Sequence, residues 1–222
     1  MPIAGVSLIR RVYERAARSR RAAAVCVATD DARIFEHVAA FGGKVVKPEG
    51  DFATGTDRIA AALPLVERVE GEPFEIIVNV QGDEPLIEIG AVDELIARLE
   101  STNAEMATLA CPLETDEEFL SRDVVKAVVD ASSTAIFFSR APIGSRDVAL
   151  RHIGVYAYRR AALNRFVSLP QAPLEKAESL EQLRALHHGF KIVVVRTSKP
   201  HLGVDRPEDV ARVENELARH HD

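Results

Sequence analysis

Ile76-Ile77-Val78-Asn79-Val80-Gln81-Gly82-Asp83-Glu84-Pro85 decides how the rest of the chain is read. Its opening residues form a short, nearly continuous apolar run, which is what a strand covered on both faces of a parallel sheet requires. The acidic turn that follows sets Asp83 just past the strand's carboxyl end, where open α/β sheets take their ligands. A carboxylate there suits a divalent cation held against a phosphate, because hard cations prefer anionic oxygen.

Upstream, Leu8, Ile9, Val12, Tyr13 and Ala16 recur at helical spacing. Ala24 to Thr29 reads as a short buried strand, and Asp30-Asp31 starts a helix carrying Ile34, Phe35, Val38 and Phe41. Gly42-Gly43 ends that helix, and a strand over Lys44 to Lys47 follows. Thr54-Gly55-Thr56-Asp57-Arg58 is a polar turn feeding a helix through Ile59, Leu63 and Val66. Strands alternating with helices predict an α/β fold with a doubly wound, mostly parallel sheet. Beyond a helix at Ala91 to Leu99 the pattern changes. Met106–Pro112, Val124–Asp130, Thr134–Phe138 and His152–Tyr158 read as strands with little helix between them, predicting an antiparallel or mixed insertion. Helices over Arg160 to Ser168 and Leu174 to His187, a strand over Lys191 to Arg196 and a final helix opened by Pro207 complete the chain.

A length of 222 residues fits one domain, and 47% apolar with 28% charged residues is ordinary globular composition. The net charge of −6 argues against nucleic acid as partner, and Arg18-Ser19-Arg20-Arg21 fits the end of a helix. No run approaches the ~18 apolar residues of a membrane span. Cys26 and Cys111 each fall within an apolar strand, as free thiols of a reducing cytoplasm do.

Asp83 and Asp205 together would supply negative charge to a Mg²⁺ that also takes phosphate oxygens, although Asp205, just before Arg-Pro-Glu-Asp, also reads as a cap of the last helix. Thr54, Gly55, Thr56 and Arg58 offer hydroxyls, close backbone approach and a bidentate cation; a helix cap with a solvated arginine is the other reading. Strand alternation puts His152, Gly154 and Tyr156 on one polar face, while a hydrogen-bonded structural histidine is the commoner case. Glu178, Glu181 and Gln182 lie within about one helical turn and can present acceptors to a polyhydroxylated ligand, or form a solvated face. His187-His188 and His220-His221 lack metal-ligand company and read as surface residues.

Taken in order, these motifs resemble the 3-deoxy-manno-octulosonate cytidylyltransferase (CMP-Kdo synthetase) family. The likeness runs through Val12-Tyr13-Glu14-Arg15-Ala16, Val27-Ala28-Thr29-Asp30-Asp31 and Thr54-Gly55-Thr56-Asp57-Arg58 to the Gln-Gly-Asp-Glu-Pro turn. It continues in Phe138-Ser139-Arg140-Ala141-Pro142-Ile143, Arg151-His152-Ile153-Gly154-Val155-Tyr156, Glu178-Ser179-Leu180-Glu181-Gln182 and Gly203-Val204-Asp205. The resemblance implies transfer of CMP from CTP to the acid sugar Kdo for lipopolysaccharide assembly, with Mg²⁺ as cofactor, in a cytoplasmic homodimer. It implies that Asp83 and Asp205 bind the metal, and that Thr54, Gly55, Thr56, Arg58 and Gln81 bind the nucleotide. Arg140, His152, Tyr156, Glu181 and Gln182 fall on the sugar side. It further implies one nucleotidyltransferase domain over 1–222, with about 105–160 as the dimerisation section. A cytidylyltransferase for another acid sugar, or a non-catalytic paralogue, are the alternatives.

The family opens with an apolar strand and a basic phosphate-holding loop. Here Ile3-Ala4-Gly5 aligns beyond that loop and Val6-Ser7 replaces its closing Lys-Pro, so an N-terminally shortened domain with impaired catalysis is expected. The stretch between Ile143 and Arg151 is also short for the family, implying fewer contacts to Kdo.

Overall fold

A computed structural model of the chain describes residues 1–198, 202–204, 206 and 209–219. In chain order the elements are β1 (Pro2–Ile3), β2 (Val6–Ser7), α1 (Leu8–Ala16), β3 (Val27–Ala28), α2 (Ala32–Ala40), β4 (Val45–Val46), α3 (Gly55–Glu70), β5 (Ile76–Asn79), α4 (Ile89–Ser101) and β6 (Met106–Pro112). They continue with α5 (Asp116–Leu120), β7 (Lys126–Val129), β8 (Ala135–Ser139), β9 (Leu150–Arg159), α6 (Arg160–Ser168), α7 (Pro173–Glu178), α8 (Gln182–His187), β10 (Ile192–Arg196) and α9 (Asp209–Arg219). The fold is mixed α/β, in two compact units. One holds Met1–Phe74, Val80–Asp93 and the described residues of His201–Asp222; the other holds Glu75–Asn79 and the described residues of Glu94–Pro200.

In the first unit, β3, α2 and β4 form a parallel crossover with Val27 opposite Val45 and Ala28 opposite Val46. Asp31 starts α2 as its sequence context predicts, its carboxylate accepting from the N–H groups of Arg33 and Ile34. The strands are shorter than the predicted 24–29 and 44–47, because each pairs only with the other among the described residues. β1 and β2 make a small antiparallel hairpin that buries Ile3 against Val204 and Val213, with Leu8, Leu86 and Leu217 around them. α3 ends at Gly71, whose φ of 81° is the left-handed conformation that favours glycine. The predicted helix start at Pro207 lies outside the described residues.

The second unit is built on a mixed sheet, six-stranded among the described residues, in the order β10-β6-β9-β7-β8 with β5 also beside β9. β10 runs parallel to β6, and every other pairing is antiparallel. The change of character after Leu99 is therefore a strand-pairing change within one sheet. β9 runs through its middle, and Met106, Leu109, Tyr158, Leu163 and Phe166 form the buried core around it. Arg159 at its end donates to the carbonyls of Leu99, Thr102 and Ala104, at 2.6, 2.7 and 3.0 Å, satisfying acceptors at the end of α4.

Two expectations need correction. The helix predicted over 174–187 is broken: α7 stops at Ser179, a non-glycine residue at φ 54°, and α8 starts anew. The periodic apolar pattern survives that break, so spacing alone hid it. The strict alternation expected along 152–156 is also interrupted. Leu109 pairs with Ile153 but Thr108 pairs with Tyr156, leaving Gly154 and Val155 as a bulge. Two extra residues restore the alternation, so His152 and Tyr156 still share a face, their rings 5.5 Å apart.

Candidate functional site

The residues expected on the nucleotide side fall in the first unit. Asp83 lies in a turn in which the Glu84 N–H donates to Gln81 O and the Ile87 N–H to Glu84 O, both at 3.3 Å. The Val204 N–H donates to Asp83 O at 2.9 Å, and a Cβ added at Gly203 would lie 3.6 Å from that oxygen. The chain just before Asp205 is thus fastened to the Asp83 turn, while Asp205 itself lies outside the described residues. No three metal-ligating side chains among the described residues cluster tightly enough to form a cage. An Mg²⁺ ion takes one or two carboxylates and fills its remaining positions with phosphate oxygens and water. The anionic oxygen donor Asp83 fits such an ion.

Thr54 is the N-cap of α3: its hydroxyl donates to Asp57 Oδ2 at 2.9 Å and accepts from the Asp57 N–H at 3.2 Å. A Cβ on Gly55 would lie 4.0 Å from the Gln81 amide, so Gly55 and Gln81 are neighbours. Thr56 is fully enclosed, which suits packing rather than ligand contact. Arg58 has Nη1 3.8 Å from Asp30 Oδ1, and its buried Nε has no hydrogen-bond partner among the described residues.

The residues expected on the sugar side fall in the second unit. Arg140 follows β8, with its N–H donating to Glu178 Oε2 (2.9 Å), Nε to Glu178 O (3.0 Å) and Nη1 to Arg122 O (3.2 Å). Lys126, fully buried, donates to Ser121 O, Val124 O and Arg140 O at 2.7, 2.6 and 2.6 Å. Burial lowers its pKa. The His152 ring packs between Phe138, 5.0 Å away, and Tyr156. Desolvation pushes the His152 pKa down to about 3, so the imidazole is neutral near pH 7. The Tyr156 phenol is pushed well above its ordinary value by burial first, then by Tyr158 and Glu181. Gln182 is buried, and its Nε2 has no partner among the described residues.

The sequence located the strands that carry these residues but missed the groups that hold them. Glu178, read with Glu181 and Gln182 as one helix face, instead turns to Ser139 and Arg140. Lys126 and Thr108 were not singled out. Their signal was a polar residue inside a buried apolar run: Thr108 is the hydroxyl within Met106-Ala107-Thr108-Leu109-Ala110-Cys111, every residue of which is buried.

A profile of the family described as cytidylyltransferase matches residues 1–192. The 3-deoxy-manno-octulosonate cytidylyltransferase of Syntrophotalea carbinolica is 44% identical, the match covering 97% of this chain and 90% of that protein. The corresponding protein of Anaeromyxobacter sp. strain Fw109-5 is 46% identical, over 97% of this chain and 88% of its own. A solved structure of CMP:2-keto-3-deoxy-manno-octonic acid synthetase complexed with CTP matches with a TM-score of 0.89 at 36% identity, covering 99% of this chain and 90% of that chain. A 4-diphosphocytidyl-2C-methyl-D-erythritol synthase, at 14% identity and a TM-score of 0.67 over 98% of this chain and 91% of its own, shares the fold alone.

Proposed function

The chain belongs to the 3-deoxy-manno-octulosonate cytidylyltransferase family, and on that premise we propose that it transfers CMP from CTP to Kdo, giving CMP-Kdo and pyrophosphate for lipopolysaccharide synthesis. The observation that carries the reading is the 44% identity to such a protein over 97% of the chain. The side chains support it. An acid sugar asks for a cation and for several hydroxyl partners, which Arg140, His152, Tyr156, Glu181 and Gln182 supply in chemical type.

In this reading the anomeric hydroxyl of Kdo attacks the α-phosphorus of CTP in line, and pyrophosphate leaves. Gly55 gives the nucleotide close backbone approach beside the Gln81 amide. Arg58 offers the phosphates or ribose a buried donor that no described protein group uses. Arg140 has Nη2 without a hydrogen bond among the described residues, while Nε and Nη1 are tied to carbonyls, so one fixed arm remains for the sugar carboxylate. Asp83 and Asp205 would hold Mg²⁺, which when bound would offset charge building on the transferred phosphoryl group.

The exposed apolar side chains of Leu120, Ile136 and Val148 in the second unit support a homodimer through the 105–160 section. Light scattering gives twice the mass of the 24.3 kDa chain if this holds. The free thiols of half-buried Cys26 and buried Cys111, each raised to about 11 by desolvation, go with a cytoplasmic location.

Pyrophosphate release measured with CTP and candidate sugars tests the function. Release that requires both CTP and Kdo is expected. Preference for another acid sugar, such as a sialic acid, would move the assignment to that sugar. Absence of CTP binding by calorimetry would favour a non-catalytic relative.

A further inference from the structure

The second unit contains a hydroxyl whose single proton decides what a neighbouring histidine can bind. Thr108 Oγ1 has three polar neighbours: Val155 O at 2.9 Å, Ile153 O at 3.3 Å and His152 Nε2 at 2.9 Å. The Val155 carbonyl belongs to the β9 bulge, and the Ile153 carbonyl lies just before it, beside the register shift between Thr108 and Leu109. Thr108 is fully buried, so water does not substitute for any of the three.

A hydroxyl donates one proton and accepts through two lone pairs; a carbonyl only accepts. Were the proton directed at His152 Nε2, two carbonyl oxygens would face a bare oxygen lone pair in a buried setting. Donation to Val155 O removes that clash, and the hydroxyl then accepts from an Nε2–H. Proton placement follows here from heavy-atom positions and donor counting. One imidazole nitrogen is thereby committed as the donor, and the other carries a lone pair. Nδ1 makes no hydrogen bond among the described residues, and the His152 side chain is only partly enclosed.

We propose that Thr108 is a positioning residue that holds His152 as the Nε2–H tautomer, so that Nδ1 accepts a hydrogen bond from a sugar hydroxyl and His152 selects for that hydroxyl. This rests on the acid-sugar reading given above and refines it. A neutral imidazole presenting a lone pair repels a carboxylate, so the substrate's negative charge falls to Arg140 alone. The ring neighbours are consistent: Phe138 and Tyr156 flank the imidazole, and among the described residues no carboxylate hydrogen-bonds it to stabilise an imidazolium. In the same unit, Gln182 Nε2 adds a buried donor without a partner among the described residues, so the unit offers both an acceptor and a donor to a polyol.

Long-range ¹H–¹⁵N correlation spectra of the full chain at pH 7, with His152 assigned by a His152→Gln variant, read the tautomer directly and need no turnover. The native protein and Thr108→Ser are expected to show Nε2–H, and Thr108→Val a mixture of tautomers. In kinetics, Thr108→Val is expected to raise KM for Kdo by up to about tenfold, the range of one hydrogen bond, with kcat and KM for CTP little changed. Thr108→Ser is expected to restore it. Native His152 found as Nδ1–H or as imidazolium overturns the proposal. So does a Thr108→Val protein that keeps both the tautomer and KM for Kdo, since a purely structural threonine would behave that way. His152 resonances unmoved by Kdo in a protein that turns Kdo over would equally overturn it. The stated tautomer in a protein whose resonances respond to another acid sugar, but not to Kdo, upholds Thr108's role and removes Kdo as the substrate.

Discussion

The residues proposed for the nucleotide and those proposed for the sugar are held by different kinds of structure. On the nucleotide side, Thr54 and Gly55 open a helix, while Gln81 and Asp83 lie in a turn tied by single backbone hydrogen bonds. The strands of that unit are two residues each. On the sugar side, Arg140, His152 and Tyr156 stand on or beside long strands, where buried Lys126 donates to three carbonyls and Glu178 accepts from Ser139 and Arg140. The contrast fits the two ligands. A triphosphate is flexible and is well served by backbone N–H groups of turns and helix starts. A sugar is recognised by the stereochemistry of its hydroxyls, which needs donors and acceptors fixed in direction.

The sharpest way to break this contrast is at the carboxylate of the nucleotide side. Asp83→Asn removes the charge that would hold Mg²⁺ while keeping the side chain's size. A fall in kcat of about a thousandfold or more is expected, the scale of a lost electrostatic group at the reacting centre. Less than a tenfold fall in pyrophosphate release would remove Asp83 from the metal role. The next largest effect concerns stability and separates the two units. In the second unit Glu175 and Arg184 form an ion pair with side chains only 6% and 4% exposed, the guanidinium also lying 4.8 Å from the Phe166 ring. Glu175→Gln leaves Arg184 charged and buried, for a loss of about 3 kcal/mol in urea unfolding. In the first unit Lys44 and Glu70 also pair, but the Lys44 side chain is 49% exposed, so Glu70→Gln is expected to cost under about 1 kcal/mol. The buried pair also gives a pH signature. Burial alone would raise the Glu175 pKa, yet hydrogen bonds from Arg184 and the Ala172 N–H, with the charge of Arg184, hold it below the ordinary value. A depressed carboxyl contributes its stability in full above the unfolded value of about 4.3 and loses it as pH falls through the folded value. Acid unfolding should therefore be steeper in the native protein than in Glu175→Gln.

The same contrast marks how much was legible in the sequence. Elements with regular periodicity and a recognisable start were placed well: α1, α2 with its Asp31 cap, β6, and α6. α5 was missed, although Thr115-Asp116-Glu117-Glu118 carries an N-cap and an acidic first turn, because five residues are too few for a periodic signal. The break at Ser179 was invisible because a left-handed serine has no compositional marker, and that break is what sends Glu178 to Arg140. The residue types of the sugar side were legible as His152, Tyr156 and Arg140. Their support was not, because Lys126 and Thr108 act through backbone carbonyls that only the folded chain brings near.

Two smaller substitutions sharpen the contrast from the binding side. Arg140→Lys keeps the positive charge but loses the planar fork that holds Glu178 O and Arg122 O while presenting a third nitrogen. KM for Kdo is expected to rise about tenfold with KM for CTP unchanged; an equal rise in both would place Arg140 outside the sugar's reach.

The smallest effect is Thr54→Ala, and it tests whether the helix start that caps α3 also serves the ligand. The Thr54 hydroxyl is spent on Asp57, accepting from its N–H and donating to its carboxylate. Losing a threonine cap costs about 1 kcal/mol of stability. A hydroxyl already bound at both ends has little left for a nucleotide, so KM for CTP should move less than twofold once the loss of folded protein is allowed for. Thr54→Ser should restore the stability. A larger KM effect in Thr54→Ala, undiminished when stability is recovered by osmolyte, would show that the hydroxyl leaves Asp57 to meet the ligand. The nucleotide side would then owe its adaptability to a cap that exchanges partners, unlike the committed hydroxyl of Thr108.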